Sequence, residues 1–524
     1  VPKDASPITA EMVARALEEE RSPDRPWLVP LAVVLAAIPP FLLFRDLRHD
    51  DAYITFQYAR NVAEGNGFVF NVGQRVLGAT SPLHVLILAA IQLVTRVPPP
   101  IAANFLGCLG VSLQAYFLYA LLAKTSRRLA AFMAAMVWLG LADAYAWTAL
   151  ETNLFAALVL GTVWAVEASR PAVCGALLGL AFLCRPEGAL LVPIVAILWW
   201  MRRRSSPLIL LAVAFAVVVP WLIFATWYFG IAVPRTFGAK RGAVPPWSYV
   251  RTVLSLSMRQ PWRLVGLADR WPAVRWISPA LWGLGAVSMW RRHRRLAAFV
   301  AFGGALFAAY AFLGPSPAHA WHEYPILLAL DVLFLLGAGS ALGFLTERSA
   351  LRPFERPVLA GFAALAVLAA SLHTFAFARA YRTDVSFGFR DSAYHSVAAW
   401  TREHIRPGRS FLALEVGTLG YETRLRMIDP FGLINDTNDY PGTRNPLSLC
   451  FLVMRTKPDL ILASADEATT CFARIGYTPV KWFEWRDPWS VVLVRSRDVL
   501  RSPSELEALR DEVRKQLASA AGRG

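Results

Sequence analysis

Charge is scarce in this chain, and cysteine scarcer. Only 17% of its 524 residues are Asp, Glu, Lys or Arg, against 56% hydrophobic. No soluble domain needs so much apolar surface. No glycine-rich phosphate loop occurs, so no nucleotide cofactor is expected. Val1 to Arg25 is polar and has no signal-peptide core. It reads as a cytoplasmic N-terminal segment, 1–26. Paired internal repeats, the mark of many transporters, are absent.

Five cysteines are present. Cys108, Cys174 and Cys184 fall in apolar runs and read as buried fillers. Cys450 and Cys471 fall in the polar C-terminal part, where an oxidising compartment would allow a disulfide. Two free buried thiols are the alternative.

What the chain has in quantity is apolar runs about 20 residues long, the length that spans a bilayer at ~1.5 Å per residue. Spans are expected at 27–44, 101–123, 128–146, 152–167, 171–184, 187–201, 207–229, 277–290, 296–313, 324–346 and 355–376. The fold class is therefore a polytopic α-helical membrane protein with about 11 transmembrane helices. The excess of 53 Lys+Arg over 37 Asp+Glu lies in short clusters such as Arg202–Arg204 and Arg291–Arg295. These mark cytoplasmic loops. With no basic surface carrying interleaved aromatics, nucleic acid is not an expected partner.

The stretch 82–95 is hard to place. An ordinary crossing there would put Lys124–Arg128 outside, so it is re-entrant or interfacial, or another span is wrong. Residues 51–64 read as an amphipathic helix on the membrane surface, with Ile54, Tyr58 and Val62 at four-residue spacing. Beyond 376 short apolar runs alternate with polar turns. This predicts an extracytoplasmic α/β domain over 377–500, with a helix at 392–405 and strands at 411–414, 459–463 and 491–494. A polar helix or tail follows over 501–524. The membrane domain is then 27–376, with a first outer loop at 46–80.

Charges that interrupt apolar sequence fall on one side of this topology: Asp50, Asp51, Glu151, Arg185, Glu187, Arg235, Lys240, Arg241, His319, His322 and Glu323. They describe a polar cavity at the outer face. Asp50-Asp51 would supply a general base for sugar transfer, or Asp50 would N-cap the helix that follows. Adjacent helical side chains diverge by ~100°, so one carboxylate would face substrate while the other caps or helps hold a divalent cation. Arg185 would bind phosphate, or pair with Glu187 or Glu151. Lys240, with Arg235 beside it, would neutralise a leaving phosphate, or sit solvated among headgroups. His319, His322 and Glu323 have weak metal-ligand spacing, which favours a pocket role for His322.

Several blocks resemble the GT-C glycosyltransferases, most closely the branch of terminal β-(1→2)-arabinofuranosyltransferases. They are Asp50–Asn61 (DDAYITFQYARN), Gly65–Asn71, Gly73–Val76, Thr80–Leu83, Leu150–Phe155, Arg185–Gly188, Val233–Lys240 and Asp429–Asp436. The resemblance implies an inverting enzyme of the bacterial cytoplasmic membrane, with an active site facing the periplasm. It would take a polyprenyl-phosphate sugar donor, with arabinofuranose the sugar the branch suggests, and a cell-envelope glycan acceptor.

It further implies that an acid of the first outer loop is the base, with Asp50 leading and Asp51 supporting, the latter in contact with a Mg²⁺ or Mn²⁺ ion if one takes part. Lys240, Arg185 and Arg235 would hold the donor phosphate. Tyr53, Glu151, Glu187, His322 and Glu323 would line the substrate pocket. Branch members often carry Arg at Gln57, Glu at Gln74, Glu-Gly-Tyr at Leu77–Ala79 and Trp at His84, which puts donor and acceptor identity in question. The rival readings are a transporter or flippase of lipid-linked sugars and a non-enzymatic envelope scaffold.

Overall fold

The structure is a computed structural model. It describes residues 28–46, 48–125, 128–139, 149–234, 245–264, 267–313, 320–348, scattered positions between 361 and 379, 388–435, 446–464, 471–483 and 489–521.

The N-terminal two thirds is helical. The helices are α1 (Leu28–Phe44), α2 (Asp50–Ala63), α3 (Pro82–Thr95), α4 (Pro99–Leu122), α5 (Arg128–Leu139), α6 (Thr152–Glu167) and α7 (Pro171–Cys184). They continue as α8 (Leu191–Arg203), α9 (Leu208–Phe229), α10 (Pro246–Leu264), α11 (Ser278–Arg292), α12 (Ala297–Leu313) and α13 (Ala320–Arg348). Among the described residues four helical stretches are long and apolar enough to cross a membrane: Pro99–Leu122, Leu208–Phe229, Arg294–Phe312 and Trp321–Leu345. Three further expected spans are shorter apolar helices, α1, α6 and α7. The expected spans at 128–146 and 355–376 lie partly outside the described residues.

The stretch 82–95 is a helix of 14 residues. That is about 21 Å, well short of a hydrocarbon core of ~30 Å. It ends in a left-handed Arg96 (φ 64°), packs along α2, and gives way to Pro98–Pro100 at the start of α4. By length it stands with α1, α6 and α7 among the shorter apolar helices.

The C-terminal part contains α14 (Gly388–His404), β1 (Ser410–Leu412), α15 (Gly417–Thr423), β2 (Arg426–Ile428), α16 (Pro446–Thr456), β3 (Leu460–Ser464), β4 (Thr478–Trp482), β5 (Trp489–Val494) and α17 (Leu506–Ala521). The strands form one sheet in the order β2-β1-β3-β5-β4. The pairs β1–β2 and β1–β3 are parallel, and β3–β5 and β4–β5 are antiparallel. The inner strands are buried at nearly every position, as in β3 (Leu460, Ile461, Leu462, Ala463). A sheet covered on both faces selects such continuous apolar runs. Cys450 on α16 and Cys471 form a disulfide with Cα atoms 6.3 Å apart. Cys108, Cys174 and Cys184 are free and buried.

Helix α2 corrects one expectation. Of its expected surface stripe Tyr58 is buried, while Ile54 and Val62 are half-buried. Ala52, Tyr53, Phe56, Tyr58 and Ala59 are wholly buried, and so are its polar residues Gln57, Arg60 and Asn61. The polar face turns inward because the following loop needs it. Gln57 Nε2 donates to Phe70 O (3.1 Å), and Asn61 Nδ2 to Val69 O (2.8 Å) and Phe70 O (2.9 Å). Tyr58 OH donates to Val76 O (2.6 Å) and accepts from Gly78 N (3.0 Å). These side chains satisfy backbone groups of an irregular loop that would otherwise be buried unpaired.

The same loop is stitched to the C-terminal part. Asn71 exchanges two hydrogen bonds with the Met427 backbone, both 2.9 Å. Arg60 donates to Tyr421 O (2.7 Å) and lies 4.3 Å over the Tyr421 ring.

Candidate active site

Two clusters of polar residues meet near the start of α2. The first is built on Asp50. His49 is the residue that precedes the helix, and Asp50 and Asp51 occupy its first turn. The Asp50 carboxylate therefore does not N-cap its own helix. It reaches instead to the start of α15, where Oδ2 accepts from Gly417 N (2.9 Å) and Oδ1 from Thr418 N (2.7 Å). Burial raises its pKa, the two backbone N–H groups and the Thr418 side chain oppose that rise, and the adjacent Asp51 adds to it.

Gly417 is required by this contact. A Cβ there would stand 2.0 Å from Asp50 O. Asp51 is half-buried and makes no hydrogen bond or ion pair among the described residues. The ~100° turn between successive helical residues keeps it off the α15 contact.

Tyr53, expected to line the substrate pocket, is fully buried, and its hydroxyl is 3.1 Å from His395 Nε2. It packs α2 against α14 and α15. A second buried acid, Asp429, lies close enough to feel Asp50. It accepts from Phe431 N (2.8 Å) and Leu433 N (2.7 Å). Burial pushes it up to about 6, against the pull of those N–H groups.

The second cluster is centred on Arg185, which is 3% exposed. It sits where α7 stops, in extended conformation ahead of Pro186, because a residue before proline avoids the helical region. Its Nη2 donates to Glu187 Oε1 (2.8 Å) and lies 2.7 Å from His322 Nδ1. Its Nη1 donates to Trp321 O (3.1 Å) and is 3.7 Å from Glu151 Oε1. Tyr310 OH donates to Glu187. The pairing expected with Glu187 or Glu151 is made with both. Glu323 is 1% exposed, and its Oε2 has no hydrogen-bond partner among the described residues.

The clusters touch through His49 and Trp321, whose ring centroids are 5.7 Å apart. Asp50 and Asp51 thus directly follow a residue whose ring meets the Arg185 cluster. Arg235, Lys240, Arg241 and His319 lie outside the described residues. Sequence reasoning missed Tyr310, Trp321 and Gly417, and saw Asp429 only inside a resembling block. Tyr310 left a signal, a phenol in an otherwise apolar run. Among the described residues no group of three His, Cys, Asp or Glu is placed to hold a metal ion.

The chain has the fold of the GT-C membrane glycosyltransferases. ArnT from Cupriavidus metallidurans in the apo state superposes with a TM-score of 0.62 at 14% identity, covering 90% of this chain and 98% of that one. The same protein bound to undecaprenyl phosphate gives 0.59 at 13% identity, with the same coverage.

A terminal β-(1→2)-arabinofuranosyltransferase of Mycobacterium tuberculosis is 31% identical over 228 residues, 38% of this chain and 36% of that protein. The match thus spans about a third of the length of that curated relative. Residues 380–504 match a family model described as a domain of unknown function (DUF8728).

Proposed function

We propose that this protein transfers a sugar, with inversion, from a polyprenyl-phosphate donor to a cell-envelope glycan. The reading is carried by one observation: of two adjacent acids at the start of α2, Asp50 is spent on two backbone N–H groups and Asp51 makes no such bond. Asp51 is the base. It takes the proton of an acceptor hydroxyl as that oxygen bonds the anomeric carbon, and the bond from that carbon to the phosphate oxygen breaks on the opposite face. Polyprenyl phosphate leaves with the electron pair. In this reading Asp50 is a positioning residue, where the sequence alone favours it as the base.

Lys240 and Arg235 neutralise the leaving phosphate. Arg185 is committed to Glu187 and His322, so it holds the wall of the site and adds positive potential. Glu151, Glu187, His322 and Glu323 orient the sugars. A Mg²⁺ or Mn²⁺ ion would have Asp51 and the donor phosphate as ligands. Among the described residues no group of three His, Cys, Asp or Glu could hold it, and each step written here is carried by the protein's own residues.

The likeness to ArnT bound to undecaprenyl phosphate supports the lipid donor, and the arabinofuranosyltransferase relative supports arabinofuranose as the sugar. The positive-inside pattern supports an active site and a C-terminal domain on the outer face of the cytoplasmic membrane. The test is purified protein given decaprenyl-phosphoryl-arabinose and an oligoarabinan. Transfer by the wild type and its loss in Asp51→Asn are expected. Full activity in Asp51→Asn would remove Asp51 as base. Absence of transfer from any polyprenyl-phosphate sugar would favour a flippase or a scaffold.

A further inference from the structure

The end of the bundle away from Asp50 carries a separate arrangement. Near the Asp50 end, Asn104 on α4 donates to Arg45 O. Leu122 closes the same helix about 27 Å further along its axis. There a cavity of 540 Å³ lies between α4, α5, α11 and α13. Its walls are largely apolar, with Leu122, Ala134, Val287, Val332, Leu336 and Phe344 among them. Gly339 and Gly343 also line it, and a Cβ at either would meet nothing within 4 Å. The two glycines leave one wall open.

The cavity is basic where α11 ends, with Arg291, Arg292 and His293 in its lining. His293 Nδ1 is engaged by Thr125 Oγ1 (2.9 Å). Nearby cations are occupied too. Arg202 and Arg295 both pair with Glu167, at 3.5 and 3.4 Å, and Arg294 Nε donates to Trp290 O (2.6 Å). Arg291 and Arg292 alone in this cluster make no hydrogen bond or ion pair to a described residue.

We propose that this cavity binds an anionic membrane phospholipid, with an acyl chain along the apolar wall and the phosphate on Arg291 and Arg292. The volume falls within the ~300–1,000 Å³ usual for small-molecule sites. Paired guanidinium forks match phosphate oxygens better than ammonium groups do. Basic pockets between membrane helices on the cytoplasmic side are where lipid headgroups of this charge collect, and the arginine-rich loop marks that side. The site is separate from the one that would take the sugar donor and does not depend on the proposed reaction.

The test is native mass spectrometry on the full-length chain, offered phosphatidylglycerol or phosphatidylcholine. Phosphatidylglycerol should be retained in preference. Replacing Arg291→Gln and Arg292→Gln together should weaken it about fivefold per charge. Gly339→Leu, which fills the open wall, should abolish retention of either lipid, and the melting temperature of the lipid-free protein checks that the variant is folded. Equal retention of the two lipids would overturn the proposal. So would wild-type retention in the folded double-glutamine variant, or displacement of phosphatidylglycerol by undecaprenyl phosphate, which would make the cavity part of the donor path.

Discussion

Asp50 and Gly417 are 367 residues apart in sequence, yet the Asp50 carboxylate receives the Gly417 and Thr418 N–H groups at 2.9 and 2.7 Å. This contact joins the first loop after α1 to the C-terminal part of the chain. It also gives the two acids different surroundings, which the proposed division of tasks uses. Asp50→Asn keeps the shape but offers one acceptor where two are used, so it should lower stability by about 1–2 kcal/mol. Asp51→Asn should leave the melting temperature nearly unchanged and reduce transfer about 10²–10⁴-fold. Thermal unfolding and transfer assays on both variants check the division. Equal loss of stability in both would refute it.

Gly417→Ala brings a methyl group against Asp50 O, where the available separation is 2.0 Å. The α2–α15 junction must open, at a cost of about 1–3 kcal/mol. Proteolysis or hydrogen exchange should then show α2 and α15 exposed together while the helical bundle stays protected.

Arg185→Gln leaves the Glu187 carboxylate buried without its cation. A loss of about 3–5 kcal/mol is expected, as for other buried pairs broken on one side. The double variant Arg185→Gln/Glu187→Gln should recover much of it. A thermodynamic cycle on the two positions measures the coupling, and additive losses would contradict the pairing seen here.

Asp429 gives a pH dependence of definite sign. Its folded pKa is raised, from 3.8 to about 6, so the folded state favours the protonated acid. Its contribution to stability is full below about 4 and is lost as pH rises through about 6. Asp429→Asn should flatten the melting temperature over that window, where the wild type falls by an amount of order 3 kcal/mol. A wild-type curve that rises with pH there, and loses the rise in Asp429→Asn, would reverse the assignment.

Much was legible in the chain itself because the bilayer imposes a length rule. Apolar runs of spanning length, broken by arginine clusters, announce a helical membrane protein. The C-terminal strands were legible for a related reason, since short β-rich runs between turns mark a covered sheet. Arg185 and Glu187 stood out because ions inside apolar sequence need partners.

Periodicity misled at α2. Ile54, Tyr58 and Val62 gave the stripe of a surface helix, but a helix whose polar face feeds a buried loop has the same period. Gln57 illustrates this. It departs from the resembling branch, and its amide is taken up by Phe70 O and by Arg60.

The sequence by itself determined the class of protein, the four apolar stretches long enough to cross a membrane and the pair of acids at the start of α2. Those follow from composition and local spacing. It left Asp50 and Asp51 equivalent, because neighbouring carboxylates have the same chemistry. Only the tertiary structure set them apart, by bringing the Gly417 and Thr418 N–H groups onto Asp50 and none onto Asp51.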